Sequence, residues 1–167
     1  MDALLQRMVE SASNVARVGP PRARARKLRG GCAYYNPVVH MITVDSELMA
    51  RLNLNDLQTL VAHEVGHARQ RTEIIADVFL TLAPGFVLLV AGFGVAALVA
   101  PATGVGFGSV AAIVSGGVAN WFWHRWADPR FAVSRAKRED EADAFANEFQ
   151  NDPAAITALQ MACAHCA

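Results

Sequence analysis

His63-Glu64-Val65-Gly66-His67 reads H-E-x-x-H. On an α-helix, positions i and i+4 stack on one face, so imidazoles four residues apart reach the same metal ion. Glu64 follows the first imidazole directly, where its carboxylate can take a proton from water activated by that metal. The pentad therefore predicts a helix with two zinc ligands, His63 and His67, and a catalytic carboxylate, Glu64. Leu57, Leu60 and Val61 supply a core-facing stripe upstream, and Asn55 is expected to cap the helix with Gln58 in the capping-box position.

Two histidines do not complete such a site, because a catalytic zinc takes three protein ligands and leaves a position for water. Glu73 occupies the position of the last histidine in HExxHxxGxxH. That pattern turns on a glycine at position 70, where this chain has Gln70, so Glu73 continues along the helix and points away. Asp77 fails in the same way. Glu139, Glu141 and Glu148, from a later helix, qualify by position.

Outward from the pentad, the charges segregate. Net charge is zero, 53% of residues are hydrophobic and only 18% are charged, against about a quarter charged in typical soluble domains. No charged residue falls between Val78 and Trp123. Pro101 divides this run into segments 78–100 and 102–123, each long enough to cross a hydrocarbon core of about 30 Å. Gly92, Ala96 and Ala100 recur four apart, as do Gly104, Gly108, Ala112 and Gly116, a spacing that lets helices approach closely in lipid. Trp121, Phe122, Trp123 and Trp126 cluster at one end, as in an interfacial aromatic belt. The expectation is a transmembrane helical hairpin inserted at 78–123. Every Lys and Arg lies outside the run, so the positive-inside rule puts both flanks on the cytoplasmic side. The expected location is an integral membrane one, of the bacterial inner (cytoplasmic) membrane type, with the active site on the cytoplasmic side.

The flanks read as one peptidase domain, 1–167. Residues 3–16 form an amphipathic helix, read as a cover for the core in preference to a membrane-surface helix. Its charges, Asp2, Arg7, Glu10 and Arg17, do not fit a secretory signal. Residues 17–30 read as a basic linker, with Arg22, Arg24, Arg26, Lys27 and Arg29 free to meet water or anionic headgroups. Neither aromatic interleaving nor a helix-turn-helix pattern accompanies them, so nucleic acid is not an expected partner. Residues 32–35 and 38–44 are rich in β-branched and aromatic side chains and predict two short strands, with His40 packed in the second. A short helix at 45–52 is capped by Asp45 or Ser46. After Asp128-Pro129, Ser134 is expected to cap a helix reaching Phe149, and a short helix covers 154–162. Cys32, Cys163 and Cys166 make no disulfide framework, and the terminal C-x-x-C reads as free thiols.

The stretch Leu57 to His67 resembles the zinc helix of the HtpX and CAAX-prenyl endopeptidase family of membrane zinc metallopeptidases. That family carries its third ligand in a downstream E-x-x-A-D motif, often after Ser-Arg. This chain has Ser134-Arg135 and then Glu139-Asp140-Glu141-Ala142-Asp143. The resemblance implies Glu139 as third ligand and Asp143 as a residue hydrogen-bonding a ligand side chain. It also implies an edge strand that pairs with substrate backbone, at Cys32-Ala33-Tyr34-Tyr35, where Cys32 replaces the usual Asn. The family's usual N-terminal spans have no counterpart here. The fold implied is mainly α with a small β-sheet: a gluzincin-type domain interrupted by a two-helix transmembrane hairpin. The function implied is zinc-dependent endopeptidase, with one Zn2+ per chain, acting on protein or peptide substrates at the lipid bilayer. Tyr34, Tyr35 and His165 are candidate donors to the developing oxyanion. The competing expectation is a membrane-interaction protein with a vestigial peptidase fold. Nothing in the sequence sets an oligomeric state.

Overall fold

The computed structural model describes residues 2–29, 32–103 and 105–164. The chain is mainly helical with one three-stranded sheet. It divides into two compact units, one of residues 1–75 with 136–167, the other of residues 76–135.

In the first unit, helix α1 (Asp2–Ala16) buries Leu5, Met8, Val9 and Ala12, so it covers the core as its apolar stripe predicts. Strands β1 (Arg22–Arg26), β2 (Ala33–Asn36) and β3 (Met41–Asp45) follow. The sheet order is β1-β3-β2, with β1 parallel and β2 antiparallel to β3. Ile42 and Val44 of β3 are fully buried, and Ala23, Ala25, Ala33 and Tyr35 pack beside them.

Part of the expected basic linker is thus a strand. Arg22-Ala23-Arg24-Ala25-Arg26 alternates at period two, which sends the alanines to the core and the guanidiniums to the opposite face. The hairpin strand also begins later than expected. Residues 37–40 make the turn and His40 takes φ 51°, with its ring nitrogens 2.7 Å from the Tyr35 hydroxyl and 3.0 Å from the Gly19 carbonyl oxygen.

Helix α2 (Ser46–Arg51) is capped by Asp45, whose Oδ1 accepts the Glu47 and Leu48 N–H groups at 2.9 Å each. Helix α3 (Leu54–Arg69) carries the pentad. Its cap is Asn53 and not Asn55: Asn53 Oδ1 accepts the Asp56 N–H at 2.8 Å, and Asn53 Nδ2 donates to Asp56 Oδ2 at 2.7 Å. The reciprocal Asn53–Asp56 pair out-competes the start two residues later. Leu57, Leu60, Val61 and Val65 are buried.

Helix α4 (Arg71–Thr103) and helix α6 (Asp128–Gln150) run from one unit into the other. The break expected at Pro101 does not occur there, and α4 continues through Pro84 and Pro101. A proline forfeits one backbone hydrogen bond, but its fixed φ suits a helix. Helix α5 (Val105–Phe122) leads through a π-helical turn, Trp123–Ala127, into α6. The extra residue per turn precedes Pro129, which has no N–H to donate. Ser134 consequently lies inside α6 and caps nothing; its hydroxyl donates to the Asp77 carboxylate. Helix α7 (Ala155–Ala164) closes the described chain.

In the second unit, Gly92 of α4 lies against Ser115 of α5 so closely that a Cβ on Gly92 would collide with the serine side chain. Gly92 is thus a point of close approach between the two helices, whereas a Cβ on Gly116 of the expected stripe would meet nothing within 4 Å. The side chains of Ala96, Ala100 and Ala112, the surroundings of Gly108, and all of Gly104 lie outside the described residues. Phe79, Leu80, Phe86, Val87, Leu98, Ile113 and Trp121 are exposed. Among the described residues one segment, Arg71–Gly94, is long and apolar enough to cross a membrane, with mean hydropathy 2.3. The second expected span, 102–123, does not reach that standard among them.

Candidate active site

Helix α3 presents His63 and His67 on one face, their rings 4.7 Å apart and nearly perpendicular. Helix α6 presents Glu139 to both: Glu139 Oε2 is 3.6 Å from His63 Nε2 and 3.5 Å from His67 Nε2. One ligand atom from each of the three lies within 4.8 Å of the others. One turn further along α6, Asp143 Oδ1 comes to 2.7 Å from His63 Nδ1. That contact is short without being aligned as a standard hydrogen bond. It nevertheless holds a carboxylate on the ring nitrogen that faces away from Glu139. The residues singled out from the sequence on both helices therefore converge. Glu141 and Glu148, also eligible by position, line a different cavity with Glu73.

What lets the two helices approach is Gly66. A Cβ there would stand 2.8 Å from the Ala142 Cα, closer than packed atoms tolerate. The sequence alone assigns neither residue a role. The small residue at the fourth position of H-E-x-x-H and the alanine of E-x-x-A-D were the available signals.

Glu64 is buried, and its Oε2 has no partner among the described residues. Burial, with the nearby Glu139 carboxylate, pushes its carboxyl up to about 8, and a hydrogen bond from the Tyr35 backbone N–H opposes the rise. Burial and the neighbouring His63 lower the pKa of His67, against the opposing influence of Glu139, Gln70 and Asp143.

The Tyr35 contact reflects strand order. The Cys32 carbonyl accepts the Asp45 N–H at 2.9 Å. With Ala33 opposite Val44, alternation turns the backbone groups of Ala33 and Tyr35 outward, to the open edge of β2. Cys32 and Ala33 line a cavity of about 350 Å³ with His63, Glu64, Glu139 and Asp143, and Leu60, Ile156 and Leu159 supply apolar wall. The tyrosine hydroxyls are engaged elsewhere: Tyr35 with His40, and Tyr34 with Thr43 and Arg24. Neither phenol serves as the expected oxyanion donor. His165 and Cys166 lie outside the described residues, as does the Cys163 side chain.

Two imidazole nitrogens and one carboxylate oxygen are the His2Glu donor set of catalytic zinc. A buried acceptor without a partner beside them suits a site that handles a proton. The chain's residues thus fit the metal that the sequence implies. No curated protein and no solved structure matched the chain. Residues 5–163 match the family model described as Peptidase family M48. That match extends from α1 into α7 and takes in both helices that build the triad, so the chain belongs to Peptidase family M48, a family of zinc metallopeptidases.

Proposed function

We propose that this protein is an integral-membrane zinc endopeptidase of the HtpX and CAAX-prenyl endopeptidase type, hydrolysing peptide bonds of membrane or membrane-proximal proteins. The observation that carries the reading is the convergence of His63, His67 and Glu139 within 4.8 Å next to the buried Glu64. In this reading His63, His67 and Glu139 hold one zinc ion. The chemistry supplied by bound zinc is Lewis acidity, which lowers the pKa of water to about 7 and polarises a carbonyl.

The chain's own residues do the rest. Glu64 accepts a proton from the attacking water and returns it to the leaving amine. Asp143 orients the His63 ring through Nδ1. The open edge of β2 takes substrate as an added strand, with the outward Ala33 backbone groups as its hydrogen-bonding partners. Cys32 and the apolar α7 wall border the same cavity, where a substrate side chain would lie.

The membrane part of the proposal rests on the uncharged run and on the exposed apolar faces of α4 and α5. The hairpin they form would sit in the bilayer, with the peptidase unit on the side of the Lys and Arg residues, the cytoplasmic one. The vestigial alternative has no observation in its favour, since all four residues of the site are present and assembled.

The test is zinc content of the detergent-purified protein together with cleavage of a casein-type substrate. Wild type should hold about one zinc per chain. Glu64→Gln should keep that zinc and lose hydrolysis by about 10²-fold or more. Zinc-free wild type, or a Glu64→Gln variant as fast as wild type, would overturn the proposal.

A further inference from the structure

Gln70 ends the zinc helix as its C-cap, and its backbone N–H donates to the His67 carbonyl oxygen at 3.1 Å. Its side chain is buried, 6% exposed, an unusual place for a neutral amide unless it is bonded. The Nε2 donates twice across to α6, to Glu141 Oε2 at 2.9 Å and to the Arg138 carbonyl oxygen at 3.3 Å. Those two acceptors bracket Glu139 in sequence. The amide therefore ties the end of the helix bearing His67 to the turn bearing Glu139.

Gln70 Oε1 is buried and has no hydrogen-bond partner among the described residues.

We propose that Gln70 is a positioning residue for the metal site. Anchored at Arg138 and Glu141, its side chain sets the gap between His67 and Glu139 and so sets metal affinity. The proposal rests on the zinc reading of His63, His67 and Glu139. It gives Glu141, next to the ligand set but no part of it, a defined task as the acceptor that holds the amide. The second Glu141 oxygen meets Lys137 Nζ at 3.5 Å, a solvent-exposed pair that the clamp does not need.

The experiment is metal titration of full-length protein in detergent against a chromophoric chelator, with the visible spectrum of the cobalt-loaded protein as a second readout. Gln70→Ala should weaken zinc about 10- to 100-fold and change the cobalt bands, because the ligand geometry relaxes. Glu141→Ala should do the same in direction, Glu141→Gln should restore wild-type affinity by offering the amide an oxygen, and Lys137→Ala should change nothing. The double variant Gln70→Ala/Glu141→Ala should be no worse than the worse single one, as for two halves of one contact. If Gln70→Ala does not fold, Glu141→Ala carries the test alone, since Glu141 is half-exposed. Wild-type affinity and cobalt spectrum in Glu141→Ala, or additive losses in the double variant, would overturn the clamp while leaving the zinc site intact. Wild type that binds no zinc would remove both.

Discussion

Gly66 and Ala142 meet with no side chain between them: a Cβ built on the glycine would stand 2.8 Å from the alanine Cα and 3.0 Å from its Cβ. His63 and His67 lie three residues before and one after Gly66, and Glu139 and Asp143 lie three before and one after Ala142. The contact is therefore the centre of the candidate site, flanked on each helix by a pair of its side chains. Its closeness decides whether Glu139 reaches both imidazoles.

Gly66→Ala tests that contact. The methyl group would press on backbone, which cannot move aside as a side chain can. Overpacking of this kind costs about 1–3 kcal/mol, which outweighs the ~1 kcal/mol that alanine gains over glycine in a helix. The expected outcome is a lower melting temperature for the metal-free protein and weaker zinc binding. Gly117→Ala, where a Cβ meets nothing within 4 Å, should show neither effect. Unchanged zinc affinity in Gly66→Ala would mean that the helix gap does not govern the site.

Asp143 and Glu139 should separate by magnitude. In the proposed zinc site, losing Asp143 would free the His63 ring but leave His63, His67 and Glu139 as ligands, so Asp143→Ala is expected to cost about 10- to 100-fold in zinc affinity. Glu139→Ala removes a ligand and should cost more. Competitive titration of both variants checks the order, and a reversed ranking would argue that Asp143 is itself a ligand.

The edge of β2 predicts a defect in substrate binding without one in metal binding. Ala33→Pro deletes an outward N–H at a position where an edge strand tolerates proline. Cleavage should fall through a higher KM, with zinc stoichiometry unchanged. A normal KM would exclude strand addition at Ala33.

Acid sensitivity should trace in part to Asp45. Its carboxylate accepts the Leu28 N–H at 2.6 Å as well as the two at the start of α2, and these bonds hold its pKa below the ordinary 3.8. A folded-state value below the unfolded one stabilises the protein above the unfolded value, and that stabilisation disappears as pH falls through the folded value. The melting-temperature gap between wild type and Asp45→Ala should be full at pH 6 and shrink below about pH 4. A gap independent of pH would show that the charge contributes nothing.

Phe86 distinguishes a bilayer from water around the second unit. It is 68% exposed, so in water Phe86→Arg would cost little. Within a hydrocarbon core the arginine costs up to about 3 kcal/mol of insertion free energy. Carbonate extraction should leave wild type in the membrane pellet and shift a larger share of Phe86→Arg to the supernatant or to degradation. Complete extraction of wild type would count against the membrane reading.

Where the sequence misled, the cause is physical in each case. Arg22 to Arg26 reads as a solvated charge run because composition hides its period-two alternation, and only pairing with β3 makes that alternation matter. Asn53 and Asn55 offer the same cap chemistry, and the Asp56 side chain favours the first. Pro101 and Ser134 are local signals that longer helices overrode. Tyr34 and Tyr35 lie on the strand expected to border the site, yet strand geometry gives their phenols other partners and leaves only backbone at the open edge.

The sequence by itself determined the pair of imidazoles and the carboxylate beside them, and left the third donor among Glu139, Glu141 and Glu148. His63 and His67 share a helix face because four residues make about one turn, and Glu64 is placed by the same periodicity. E-x-x-A-D could be matched by resemblance, because its spacing is again helical and therefore local. Only the tertiary structure decided the relations between helices: that Gly66 seats on Ala142, that Glu139 reaches both rings while Glu141 turns to Gln70, and that the edge of β2 delivers a backbone N–H to Glu64. Local periodicity states which side chains share a face. It cannot state which face meets which, because that depends on close packing between segments about 70 residues apart in the chain.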